Sequence, residues 1–149
     1  MTSRHGNLCG SLACACLLCY AYYAQFVLHL EPCPLCIFQR VGVFALGLVF
    51  LIAALHDPVG RRRRIYAALL AVAALATVGI ALRQVYLQSL PPDQVPACGA
   101  SLDFMLKVFS LGEVLTKVLT GSGECAKVTW RFLGLAMPGW VSISALGLG

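Results

Sequence analysis

From Leu8 to Leu30 the chain carries no Asp, Glu, Lys or Arg. A stretch that long and that apolar can cross a bilayer as one helix. Two more runs share the property. One covers about 37–55 and opens with Gln39 and Arg40; the other covers about 65–87 and is interrupted only by Arg83. A fourth, 138–149, begins at Pro138 and is uncharged to the end of the sequence. With 60% hydrophobic and 11% charged residues, the chain is too apolar for a soluble domain of its size. Lipid leaves only helices and closed barrels, because the backbone must satisfy its own hydrogen bonds. The runs are continuous and do not alternate, which excludes a barrel. The expected fold is an all-α membrane protein, a four-helix transmembrane bundle. The fourth run reaches only about 18 Å at the helical rise, short of a full span. The expectation is that the sequence stops inside its fourth helix. The first run exceeds a usual signal-peptide core and is read as a retained anchor.

Orientation follows from Arg61-Arg62-Arg63-Arg64, which joins the second and third runs. The positive-inside rule puts this loop, 56–64, in the cytoplasm, together with the amino terminus. Segments 31–36 and 88–137 then lie outside. The longer one has four basic residues (Lys107, Lys117, Lys127, Arg131) and four acidic ones (Asp93, Asp103, Glu113, Glu124), so it has no inward bias. The net charge of +5 comes largely from the arginine run. It reads as a topology signal with lipid headgroup contacts rather than as a nucleic-acid surface.

The outer segment 88–137 opens with Pro91-Pro92 and Pro96, which forbid a helix there. Ser110-Leu111-Gly112-Glu113 fits a capping box. Behind it, Leu111, Val114, Leu115, Val118 and Leu119 recur on one helical face. A short amphipathic helix is expected, lying on the membrane surface or packed on the other helices. Gly121-Ser122-Gly123 then forms a joint before Glu124-Cys125.

The eight cysteines fall into two groups. Cys9, Cys14, Cys16 and Cys19 lie within the first apolar run. Cys16 and Cys19 form a C-x-x-C, but at a depth that disfavours the thiolate on which exchange depends. These four read as small packing residues. Cys33, Cys36, Cys98 and Cys125 lie outside, and an even number on an oxidising face points to two disulfides. The pairing that suggests itself is Cys33 with Cys36 and Cys98 with Cys125. A simple staple for the second pair remains open, as does a four-thiolate zinc site, although the spacing of Cys98 and Cys125 lacks the usual paired knuckle. Cys33-Pro34-Leu35-Cys36 meets the second apolar run at the lipid boundary. A helix starting near Cys36 would place its sulfur at the positive dipole end. Arg40, four residues on, shares that helix face. Both features favour a thiolate. Arg40 could also bind a carbonyl oxygen that gains negative charge on reduction; its bland role would be to snorkel to headgroups.

These residues resemble the DsbB family of bacterial inner-membrane disulfide-forming oxidoreductases. The likeness runs through Glu31-Pro32-Cys33-Pro34-Leu35-Cys36-Ile37-Phe38-Gln39-Arg40, Leu82-Arg83-Gln84-Val85, Pro91-Pro92-Asp93-Gln94-Val95-Pro96-Ala97-Cys98-Gly99 and Gly123-Glu124-Cys125-Ala126. It ends with Trp130-Arg131-Phe132-Leu133-Gly134-Leu135-Ala136-Met137-Pro138-Gly139-Trp140. The resemblance implies a four-helix bundle with cytoplasmic termini and periplasmic redox loops. It implies reoxidation of the periplasmic thiol oxidase DsbA, with electrons passed to a membrane quinone, ubiquinone or menaquinone. On this basis Cys98 forms the mixed disulfide with DsbA, Cys125 exchanges with Cys33, and Cys36 faces the quinone beside Arg40. This chain departs from the pattern in its short fourth run and its cysteine-rich first helix.

The energetics constrain the outer disulfides. DsbA is a strong oxidant near −120 mV, whereas typical structural disulfides lie below roughly −300 mV. The gap is about 8 kcal/mol for two electrons. The outer disulfides must therefore be unusually oxidising, or a quinone must drain electrons forward. Two other functions are weighed against this one. A vitamin K epoxide reductase-like quinone reductase also couples a C-x-x-C to a four-helix bundle. A non-enzymatic membrane metal-binding protein would use the outer cysteines as ligands.

Overall fold

The computed structural model describes residues 3–29, 34–94, 102–120, 131–132 and 135–136. Three long helices dominate: α1 (Ser3–Phe26), α2 (Pro34–His56) and α3 (Arg61–Ser89). Each is long and apolar enough to cross a membrane. Two short helices follow α3 in the sequence, α4 (Leu102–Val108) and α5 (Leu111–Thr120), with a single 3-10 turn at Pro92–Gln94 before them. Arg131–Phe132 and Leu135–Ala136 (β1 and β2) form a two-residue antiparallel pair, Arg131 opposite Ala136. The expected fourth span, 138–149, lies outside the described residues.

The helix ends differ from the hydropathy limits because hydrogen bonding, not hydropathy, sets them. α1 begins five residues before Leu8, so its polar amino-terminal turn is helical too. It stops before Leu30, and His29 takes a left-handed φ of 53° just after it. α2 begins at Pro34 rather than near Ile37. Proline suits a first helical position, since its missing N–H would have no partner there. α3 runs unbroken through Arg83 to Ser89. Between α2 and α3 the chain reverses over Asp57 (φ 41°) and Gly60 (φ 59°).

α2 is the middle helix and packs against both α1 and α3. Their shared core holds Cys14, Val43, Leu46, Phe50, Ala74 and Val78. Small residues set the spacing. A Cβ on Gly42 would collide with Thr77 Oγ1, and one on Gly10 would stand 2.9 Å from the Phe50 ring. Close backbone approach of this kind is how helices gain packing energy in lipid. Many other apolar side chains of the three helices are exposed, among them Leu12, Phe44, Leu55 and Leu75. A continuous apolar surface of this extent would be a liability in water but suits hydrocarbon.

A second core lies where α2 begins and α3 ends. Leu35 of α2, Leu87 of α3, Met105 of α4 and Val114 and Val118 of α5 bury one another. α5 is capped by Ser110 and Glu113: the Ser110 N–H and hydroxyl each donate to Glu113 Oε2 at 3.2 Å. The face read from the sequence is divided. Val114 and Val118 turn into the protein, while Leu111, Leu115 and Leu119 stay exposed.

Candidate thiol and arginine site at the start of the second helix

Cys36 is the third residue of α2, within its first turn. Backbone N–H groups of that turn point toward the amino-terminal end of the helix and give it positive character. The sulfur does not turn toward Arg40. It faces α3, where Gln84 Nε2 donates to Sγ at 3.2 Å. Gln84 Oε1 is also within 3.5 Å of the same sulfur. One amide can therefore accept from the thiol or donate to the thiolate without changing place. Gln39, one turn of α2 further in, fixes that amide by donating from Nε2 to Gln84 Oε1 at 2.6 Å. Both glutamines are only 3% exposed, so their polar groups depend on partners within the protein.

Arg40 turns the opposite way, toward α1. It donates to Gln25 Oε1 through Nη1 and to the Ala21 carbonyl oxygen at 3.1 Å through Nη2. Its guanidinium stands 5.2 Å from the centre of the Tyr22 ring. There it lines an open groove of about 740 Å3 between α1 and α2, with Leu18, Tyr22 and Gln25 on one side and Ile37 and Phe44 on the other. The groove is mostly apolar apart from Arg40 and Gln25. Of the five N–H donors of a guanidinium, these contacts engage two.

Cys36 and Arg40 thus share the first two turns of α2, one helical turn apart, with their side chains engaged on opposite neighbours. Cys33, Cys98 and Cys125 lie outside the described residues. Of the cysteines read as packing residues, Cys14 is buried against Gly47 in the main core, and Cys9 and Cys16 are exposed on α1. Cys19 is exposed and lines the groove that holds Arg40. Sequence reasoning gave no role to Gln25, Gln39 or Gln84. The available signal was their polarity inside otherwise apolar runs, since polar groups at such depth are kept where they bond to something. Arg83 adjoins the site: its Nε donates to the Leu119 carbonyl oxygen at 3.1 Å and ties the end of α5 to α3.

Three membrane-length helices, a thiol held by a buried amide pair and an arginine in an apolar groove define a multi-pass membrane protein equipped for thiol redox work. Comparison with known proteins makes this specific. The family model "Disulfide bond formation protein DsbB" matches residues 3–149. The chain is 50% identical over 148 residues to disulfide bond formation protein B of Chromobacterium violaceum, covering 99% of this chain and 89% of that one. It is 56% identical over 140 residues to the protein of the same name from Nitrosococcus oceani, with 94% and 83% covered. For that of Methylococcus capsulatus the identity is 53% over 148 residues, with 99% and 90% covered. The chain belongs to the DsbB family, and its role lies in disulfide bond formation.

Proposed function

We propose that this protein is a quinone-dependent thiol oxidase of the bacterial inner membrane that reoxidises a DsbA-like periplasmic partner. The observation that carries the reading is the pairing, on the first two turns of α2, of an amide-held thiol with an arginine in an open, mostly apolar groove. The partner's dithiol attacks the Cys98–Cys125 disulfide and leaves oxidised, reducing that pair to thiols. Cys125 then exchanges with Cys33, and the Cys33–Cys36 pair becomes the dithiol. A quinone, when bound, takes up the two electrons and two protons that this dithiol gives up as its disulfide closes again.

The groove suits such a group. Its walls are apolar, and Arg40 keeps N–H donors beyond those already engaged. A planar guanidinium can hold a carbonyl oxygen in a fixed direction and favours the negative charge that reduction places there. Gln25 and the Ala21 carbonyl hold that guanidinium in place. On the other side of α2, Gln84 holds the Cys36 sulfur and Gln39 holds Gln84. The arginine run between α2 and α3 supports cytoplasmic termini and periplasmic cysteine loops. In that orientation the exposed Leu111, Leu115 and Leu119 of α5 rest on the outer membrane surface.

Anaerobic mixing with reduced DsbA and a soluble quinone analogue, followed by quinone absorbance, tests the proposal. Two electrons should reach the quinone for each disulfide formed in the partner. Disulfide formation without loss of quinone absorbance would refute the quinone step.

A further inference from the structure

The inner end of the α2–α3 hairpin carries a second groove, of about 440 Å3, far along the chain from the thiol site. His56, Pro58, Arg62, Ile65, Tyr66 and Leu69 line it. His56 closes α2, and its Nδ1 lies 2.8 Å from the Tyr66 hydroxyl. The left-handed turn at Asp57 and Gly60 brings the two residues together.

The electrostatics of this corner are unbalanced. α3 begins with Arg61-Arg62-Arg63-Arg64 and has no acidic residue in its first turn. Cations at a helix amino terminus face the positive end of the dipole and repel one another. Gly60, at the cap position, gives no side-chain hydrogen bond to the turn. Asp57, the one carboxylate in the connecting loop, forms no ion pair with the arginines, and one carboxylate against four guanidiniums leaves the run strongly positive. The arginines and the uncapped N–H groups call for an anion from outside the chain. The groove also states what kind. Arg62 and the His56–Tyr66 pair give it a polar part, while Ile65 and Leu69 form an apolar wall and are half exposed. A phosphate followed directly by hydrocarbon matches both parts.

We infer that this groove is a binding site for one anionic glycerophospholipid, its phosphate held by Arg62 and the Tyr66 hydroxyl and its acyl chain lying over Ile65 and Leu69. Arg63 does not line the groove and serves as the matched control, since its removal lowers the charge of the same run equally.

The test is native mass spectrometry of the full chain released from nanodiscs of phosphatidylglycerol or phosphatidylcholine. The expected result is one retained phosphatidylglycerol and no retained phosphatidylcholine. Arg62→Gln should lower retention roughly tenfold, the scale of one lost charge-assisted hydrogen bond, while Arg63→Gln leaves it within about twofold. Undiminished retention in Arg62→Gln overturns the site. Equal loss in both variants overturns it in favour of diffuse surface charge. Displacement of the lipid by millimolar inorganic phosphate would show a free-phosphate site and overturn the lipid assignment.

Discussion

Gln84→Leu separates the two things the buried amide does. Leucine keeps much of the volume but removes both polar atoms. Gln39 Nε2 then loses its 2.6 Å acceptor at a position 3% exposed. An orphaned buried donor costs about 1–3 kcal/mol of stability. The Cys36 thiolate also loses its 3.2 Å donor. Hydrogen bonds to charged groups are worth about 1.5–3 kcal/mol, which corresponds to roughly ten- to 150-fold in thiolate population. The rate falls by less, because a less stabilised thiolate is also more nucleophilic, with a Brønsted coefficient of about 0.4–0.5. The net slowing is then about four- to sixteen-fold. The assay is alkylation of Cys36 in the fully reduced protein by a neutral haloacetamide at fixed pH, with the labelled peptide read by mass spectrometry. A second variant distinguishes chemistry from folding. Replacing both Gln39 and Gln84 with Leu removes donor and acceptor together, so stability recovers toward wild type while Cys36 alkylation stays slow. If the double variant alkylates at the wild-type rate, the amide does not act on the sulfur and the argument fails.

Arg40→Ala should raise the apparent KM for a quinone analogue and lower the maximal rate by roughly 10²–10³, the scale of one lost preorganised donor; unchanged values at saturating reduced DsbA would leave Arg40 as a headgroup anchor. Arg40→Lys should act mainly on KM, since charge is kept but the planar fork is lost. Cys33→Ser or Cys36→Ser should abolish quinone reduction without preventing membrane insertion, and Cys98→Ala should prevent trapping of DsbA as a mixed disulfide; trapping lost only in Cys125→Ala would reverse their order. Gly42→Ala should destabilise the helix pair by about 1–3 kcal/mol, because its methyl group meets Thr77 Oγ1; a detergent unfolding midpoint equal to wild type would show that α2 and α3 can separate freely.

The three long helices could be read from the sequence because charge is excluded from hydrocarbon and each run is long. Their ends could not, since a polar turn such as Arg4–Asn7 is helical for reasons of hydrogen bonding alone. The capping box at Ser110 and Glu113 marked the start of α5, but α4 carried no such signal. At the site, spacing put Cys36 and Arg40 on one helix face, and that much is true of the backbone. Spacing could not show where the side chains go. Each of them turns to a different neighbour, Gln84 on α3 and Gln25 on α1, and those neighbours are distant in sequence. Pairings across 48 and 15 positions leave no periodic trace in a single chain.

Leu35 explains why the short helices α4 and α5 matter to the thiol. It stands between Cys33 and Cys36 and is completely buried, against Leu87, Met105, Val114 and Val118. The residue inside the C-x-x-C is thus the point on which α2, α3, α4 and α5 converge. Arg83 adds a second tie, from α3 to the last turn of α5, and Gln84, the next residue in the chain, holds the sulfur. The glycine joint at 121–123 follows directly after that tied turn. α4 and α5 are therefore held by the same residues that set the position of Cys36, and Cys125 follows the end of α5 by five residues in the sequence. Five residues reach at most about 18 Å when fully extended. In the relay proposed above, a tether of that length from α5 would keep Cys125 within reach of the C-x-x-C while letting it pass from one sulfur to another. A relay of the proposed kind requires a second disulfide that is tethered to the first without being locked to it.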